Sequence, residues 1–200
     1  MTDEASRPVT RLRDPRALRA LAHPIRVSLV GLLRLHGPLT ATKAGELLGE
    51  SSASASFHLR QLAKYGLVEE AGGGTGRERP WRATGMFTDW PDVAETPELA
   101  EAAGALGSVI AERWFERLTW WLQSRSGEPQ EWQEAVPFGD TVLYVTADEL
   151  AELSREVAAL MDRYLDRLSE PGLRPEGARP ILDIHFAVPI DPSGPAARGG

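Results

Sequence analysis

Between residues 14 and 66 the chain is cut, at short intervals, by residues that start or stop a helix. Asp14-Pro15 and His23-Pro24 each set a side-chain acceptor just before a Pro, the arrangement of an N-cap followed by the first helical position. Gly37-Pro38 stops the second segment, Thr40 opens a third, Gly49 closes it, Ser51 and Ser52 open a fourth, and Gly66 ends that one. No helix in this stretch can be long. Four short ones are expected, with apolar positions at Leu18 and Leu21; at Ile25, Leu29, Leu32 and Leu33; at Ala44, Leu47 and Leu48; and at Ala55, Leu59 and Leu62.

The pattern then changes to strands. Residues 67–71 (LVEEA) read as a strand, residues 72–76 (GGGTG) as a flexible hairpin tip, and residues 78–84 as the return strand, confined to an edge by Pro80. Helices, a tight turn between the third and fourth, and a Gly-tipped hairpin predict a winged helix-turn-helix over residues 14–85. Residues 1–13 are expected to be a mobile arm and residues 86–96 a connector. Thr96-Pro97 starts a long helix to about Ser124, residues 125–140 read as loop, and Thr146 with Glu149 forms a capping box for a helix to about Leu168. Residues 142–145 and 181–188 are strand candidates, and residues 189–200 a flexible tail. The fold class is therefore mainly α: a winged helix-turn-helix with a β-hairpin wing, then a helical module over residues 97–188 with one or two short strands.

Charge divides at the same place. The chain carries a net charge of -7 over 200 residues, which taken whole argues against a polyanionic partner. Residues 1–85 hold 13 Lys and Arg against 8 Asp and Glu, a net of +5; residues 86–200 hold 9 against 21, a net of -12. The first module can meet a polyanion and the second would be repelled by one.

On the fourth helix Ala55, Leu59 and Leu62 mark the core side. Ala53, Ser54, Phe57, Arg60, Gln61 and Lys64 mark the other, with Arg60 and Lys64 one turn apart. Such a face suits a major groove. Gln61 and Ser54 can bond base edges, Phe57 can touch a thymine methyl, and Arg60 can read a guanine or hold a phosphate. Ser52, Ser54 and Ser56 let the backbone approach, and the helix N-terminus favours a phosphate. Arg77, Arg79 and Arg82 on the hairpin suit phosphates or a narrow minor groove. A basic helix face is ordinarily just a solvated surface; it is the joint pattern, inside the basic half, that points to double-stranded DNA.

Residues 22–26 (AHPIR), 56–62 (SFHLRQL) and 66–68 (GLV), in that order, resemble ArsR-type winged helix-turn-helix repressors over about residues 14–85. The resemblance implies a homodimer that binds a palindromic operator and is released by an effector. It places DNA-binding roles on Ser54, Ser56, Phe57, His58, Arg60 and Gln61, with Arg77 and Arg79 on the wing. The family's familiar members sense metals through Cys on the third helix or through His and acidic residues on the last. This chain has no Cys, and its four His (His23, His36, His58 and His185) lie outside both long C-terminal helices. No metal site, no cofactor and no catalytic residues are expected, and the trigger should be a non-thiolate one.

Two readings stand for Trp114, Phe115, Leu118 and Trp121 on the long helix: an aromatic-walled pocket for a small apolar effector, or a dimer interface and core, the commoner role of such residues. Asp183 and His185 share a face of the last strand candidate and read as a solvent-side pair. No apolar run approaches the roughly 18 residues needed to span a bilayer, and residues 1–8 lack a signal-peptide core, so a cytoplasmic protein is expected. The rival functions are a winged-helix protein-interaction adaptor and an enzyme module fused to a DNA-binding domain.

Overall fold

The computed structural model describes residues 9–72, 79–91 and 93–190. Helices start where the caps were read. The Asp14 carboxylate accepts the Arg16 backbone N–H at 2.9 Å and opens α1 (Pro15–Leu21). His23 Nδ1 accepts the Ile25 N–H at 3.3 Å and opens α2 (Pro24–His36). Thr40 caps α3 (Ala41–Leu48), and Ser51 caps α4 (Ser52–Lys64). Each cap satisfies an amide that the first helical turn would otherwise leave unpaired.

The core lies where these helices meet. Leu18, Leu29, Leu59, Leu62, Leu67 and Val68 are all fully buried in it. Leu47 is the exception among the expected apolar positions and stays exposed on α3. Strand β2 (Val68–Glu70) pairs antiparallel with β3 (Trp81–Ala83), with Val68 opposite Ala83 and Glu70 opposite Trp81. Trp81 is buried and also exchanges backbone bonds of 2.8 and 3.0 Å with Leu39, which pins the hairpin to the α2–α3 junction. The wing's tip, residues 73–78, lies outside the described residues.

Two expectations give way around this core. Residues 9–13, assigned to a mobile arm, carry β1 (Val9–Arg11), which runs parallel to β4 (Phe87–Asp89) in the stretch read as a connector. Leu12 is the reason: it is buried in the core, and its N–H donates to the Asp89 carbonyl at 2.8 Å. Arg34 fixes the other side of that stretch, donating to the Gly85 carbonyl at 2.9 Å and to Thr88 Oγ1 at 2.7 Å.

The long helix α5 (Pro97–Ser124) has 28 residues, about 42 Å at 1.5 Å each. Its first turns belong to the core through Leu99, Ala102 and Leu106, which pack against α1. Past Ile110 none of its residues is buried. Residues 130–135, read as loop, form the short α6 (Gln130–Ala135). The capping box at Thr146 opens α7 (Ala147–Ser169), which buries none of its residues; Leu153, Leu160, Tyr164 and Leu168 all face outward.

Residues 142–145 and 181–188 were expected as strands and are not. Alternating apolar residues define a pleat, but a ladder needs a second edge alongside. Just before the latter segment Arg179 pairs with Glu128 at 2.7 Å and covers the Trp132 ring of α6 at 4.8 Å, and within it the Phe186 ring sits 6.5 Å from that of Phe115 on α5. Among the described residues no helix is long and apolar enough to cross a membrane.

Candidate nucleic-acid interface

The turn between α3 and α4 is tighter than any residue but Gly permits. A Cβ at Gly45 would stand 2.8 Å from the Glu50 carbonyl oxygen, and Gly49 adopts φ 71°, the left-handed conformation that ends α3. This close approach fixes the angle at which α4 leaves α3. Ser51 Oγ accepts the Ser54 N–H at 3.1 Å, and the first turn of α4 holds no acidic residue, so its positive end stays unneutralised.

With Ala55, Leu59 and Leu62 fully buried, the rest of α4 turns outward. Phe57 is 52% exposed, an aromatic ring left in water. Ser52, Arg60 and Lys64 are exposed beside it; Ser54, Ser56 and Gln61 are half-buried. Arg60 Nη1 donates to Ser56 Oγ one turn back at 3.0 Å, which holds the guanidinium along the helix. Lys64 Nζ lies 5.7 Å from the Tyr65 ring centre. Among the described residues neither Arg60 nor Lys64 forms an ion pair.

His58 is different. It points back toward the start of α2, with its ring 4.7 Å from the His23 ring and edge-on to Phe57 at 5.3 Å. Its Nδ1 is buried with no hydrogen-bond partner among the described residues, as is Nε of Arg26. Burial holds the His58 pKa below its ordinary value, with His23 and Arg26 pushing the same way and Glu50 opposing. His23 is lowered as well, by burial first and then by Arg26. His58 is thus half-buried on α4, with its ring turned toward His23. Nothing in the sequence marks residues 35 apart as a pair, and Arg26 carried no signal beyond its place after His23-Pro24.

The wing adds cations that are already engaged. Arg79 Nη1 meets Glu70 Oε2 at 2.8 Å, and Arg82 meets Glu69 across the strands at 2.7 Å. Such exposed pairs are worth about 0–1 kcal/mol, so a phosphate can displace the carboxylate. Arg77 lies outside the described residues. Thr84 Oγ1 donates to the Gly66 carbonyl at 2.7 Å, tying the wing's base to the end of α4. Arg34, which sequence reasoning passed over, steadies the segment beyond it, and burial pushes its guanidinium pKa down to about 10.

On α5, Trp114, Leu118 and Trp121 form a half-buried stripe, and Phe115 is exposed toward Phe186. Two hollows on this helix are open grooves: one of about 350 Å³ lined by Arg113, Glu116, Arg117 and Trp120, and one of about 590 Å³ that includes Phe115 and Trp120 but not Trp114, Leu118 or Trp121. Among the described residues no three His, Asp or Glu side chains stand close enough to hold a metal ion.

Residues 21–71 match a family model described as a helix-turn-helix domain. The matched span begins at the last residue of α1, takes in α2, α3, α4 and β2, and ends before the wing's tip. No curated protein matches the chain. Residues 21–71 thus carry a helix-turn-helix DNA-binding domain.

Proposed function

We propose that this chain is a cytoplasmic, sequence-specific transcriptional regulator of the ArsR type, acting as a homodimeric repressor on a palindromic operator. The observation that carries the reading is the outer face of α4: an exposed Phe57 followed by Arg60 and Lys64, neither in an ion pair among the described residues, on a helix whose first turn bears no acidic residue. In this reading Ser54 and Gln61 bond base edges, Phe57 packs on a thymine methyl, and Arg60 reads a guanine or grips a phosphate. Ser52, Ser56 and Lys64 contact the backbone, and Arg77 and Arg79 follow it from the wing. His58 contributes by holding α4 against α2. Residues 14–85 do the reading, residues 86–96 lead on from it while pairing back through β4, and residues 97–188 supply dimerisation and effector binding.

Two recognition helices must fall about one helical turn of DNA apart, ~34 Å, so a small shift between protomers abolishes binding. Selection of bound genomic fragments should return an inverted repeat. Affinity for it should fall steeply with salt, whereas a protein-interaction adaptor would show no such slope. Arg60→Ala and Gln61→Ala should each cost about 1–3 kcal/mol of discrimination between the repeat and scrambled DNA. If duplex binding by both variants matches the parent at every sequence, α4 is not the reading helix.

A further inference from the structure

Arg113 sits where α5 leaves the core, one turn past Ile110. Its guanidinium is half-buried and donates through Nη1 to the hydroxyl of Ser28, a buried polar residue on α2. Arg117 and Trp120 follow at four and seven residues, so all three share one face of the helix. Between them, with Glu116 at the side, lies the open groove of about 350 Å³. That is the lower end of the range for small-molecule sites.

The charge in this groove is unbalanced. Among the described residues neither Arg113 nor Arg117 forms an ion pair, and the two residues lie one turn apart on α5. Burial and Arg117 both push the Arg113 pKa down, with Glu116 opposing. A half-buried cation held beside another is costly, and an anion between them would offset that cost. Guanidinium forks match a carboxylate in two-point geometry. The Trp120 indole, 59% exposed, supplies a flat apolar wall beside them.

We propose that the groove formed by Arg113, Arg117 and Trp120 binds a small aromatic carboxylate, its anionic end on the two guanidiniums and its ring on the indole. In its regulatory consequence, release from DNA, this rests on the regulator reading above; the binding itself does not. The consequence follows from Ser28. A carboxylate that takes over the Arg113 donors competes with the hydrogen bond from that guanidinium to Ser28 of α2, the helix that follows His23, whose ring meets His58 of α4.

The test is a titration of the full chain with 2-naphthoate, followed by Trp fluorescence, beside 2-naphthamide (ring without charge) and acetate (charge without ring). Naphthoate should give a saturable change, with both controls at least about tenfold weaker. Arg117→Gln should weaken naphthoate about tenfold at an unchanged melting temperature, and Arg117→Lys should recover only part of it. Equal binding of the amide would overturn the proposal, as would parent-like binding by Arg117→Gln. So would a change of oligomeric state in that variant with naphthoate binding intact, since a carboxylate of a second copy would then be the occupant. If the parent binds naphthoate but no duplex DNA, the regulator reading fails and the ligand site stands.

Discussion

Helices α4 and α7 are both amphipathic, and the structure treats them in opposite ways. The apolar side of α4, Ala55, Leu59 and Leu62, is fully buried. The stripe of α7, Leu153, Leu160, Tyr164 and Leu168, lies open to solvent, and so do Phe138, Tyr144 and Phe186 nearby in the same half. Amphipathicity states that a face requires cover; it does not state that the same chain supplies it. In the first half the cover is local, because four helices and a hairpin close over one another. In the second half, the helices and extended segments share no buried interior among the described residues. In the proposed regulator, this exposed apolar surface is where a second copy would pack.

Truncating one leucine in each helix separates the two cases. Leu59→Ala empties a fully buried site and should cost about 2–5 kcal/mol of stability in urea or heat denaturation. Leu160→Ala, more than half exposed in the single chain, should change stability of the first half by less than about 0.5 kcal/mol. If α7 is the homodimer face, the same change should raise the dimer dissociation constant about tenfold in sedimentation equilibrium. A Leu160→Ala protein that associates like the parent would place the interface elsewhere.

The same contrast explains what could be read ahead of the structure. Helix starts were legible because Asp14, His23, Thr40, Ser51, Thr96 and Thr146 act within one turn, and each accepts the amide its position implies. The core of the first half was legible because its stripes are covered by neighbours in sequence. The strand candidates at residues 142–145 and 181–188 failed because pairing depends on a distant edge. Residues 9–13 were misassigned because what holds them is distant in sequence: Leu12 buried in the core, β1 paired with β4, and Arg13 paired with Asp89 at 2.8 Å. For the site, the exposed face of α4 followed from periodicity. The inward turn of His58 toward His23, and the engagement of Arg79 and Arg82 by Glu70 and Glu69, depend on tertiary approach.

The His23–His58 contact predicts how the two halves differ in acid. Both imidazoles are held below the ordinary value of 6.5, chiefly by burial, with Arg26 adding to each and Glu50 opposing. As pH falls from 8 through that value, the unfolded chain takes up protons that the folded one refuses, so stability falls; above it this term is flat. Protonation at His23 Nδ1 also removes the acceptor of the Ile25 N–H and with it the α2 cap. Urea midpoints measured from pH 8 to 5.5 should therefore decline for the first half. His23→Asn, which keeps a capping side chain without a titrating ring, should flatten the decline. An unchanged slope in that variant, or one of opposite sign, would remove the histidine pair as its cause.

The smallest expected effect lies on the wing, where exposure makes an interaction cheap to break. Glu70 and Arg79 pair at 2.8 Å with both side chains largely in solvent, and Glu70 is the only partner that the structure gives this guanidinium among the described residues. Glu70→Gln keeps the shape of the strand and removes the carboxylate. Its cost in folding should stay below about 1 kcal/mol, because side-chain ordering and screening consume most of an exposed pair's attraction. On DNA the sign reverses: Arg79 no longer has to leave a carboxylate to reach a phosphate, and one repelling charge is gone from the surface that approaches the duplex. Binding of Glu70→Gln should tighten equally for operator and scrambled sequences, since phosphates carry no sequence information. Filter binding at two salt concentrations checks this. A gain confined to the operator would place Arg79 on a base edge instead of the backbone, and no gain at all would leave the wing out of the interface.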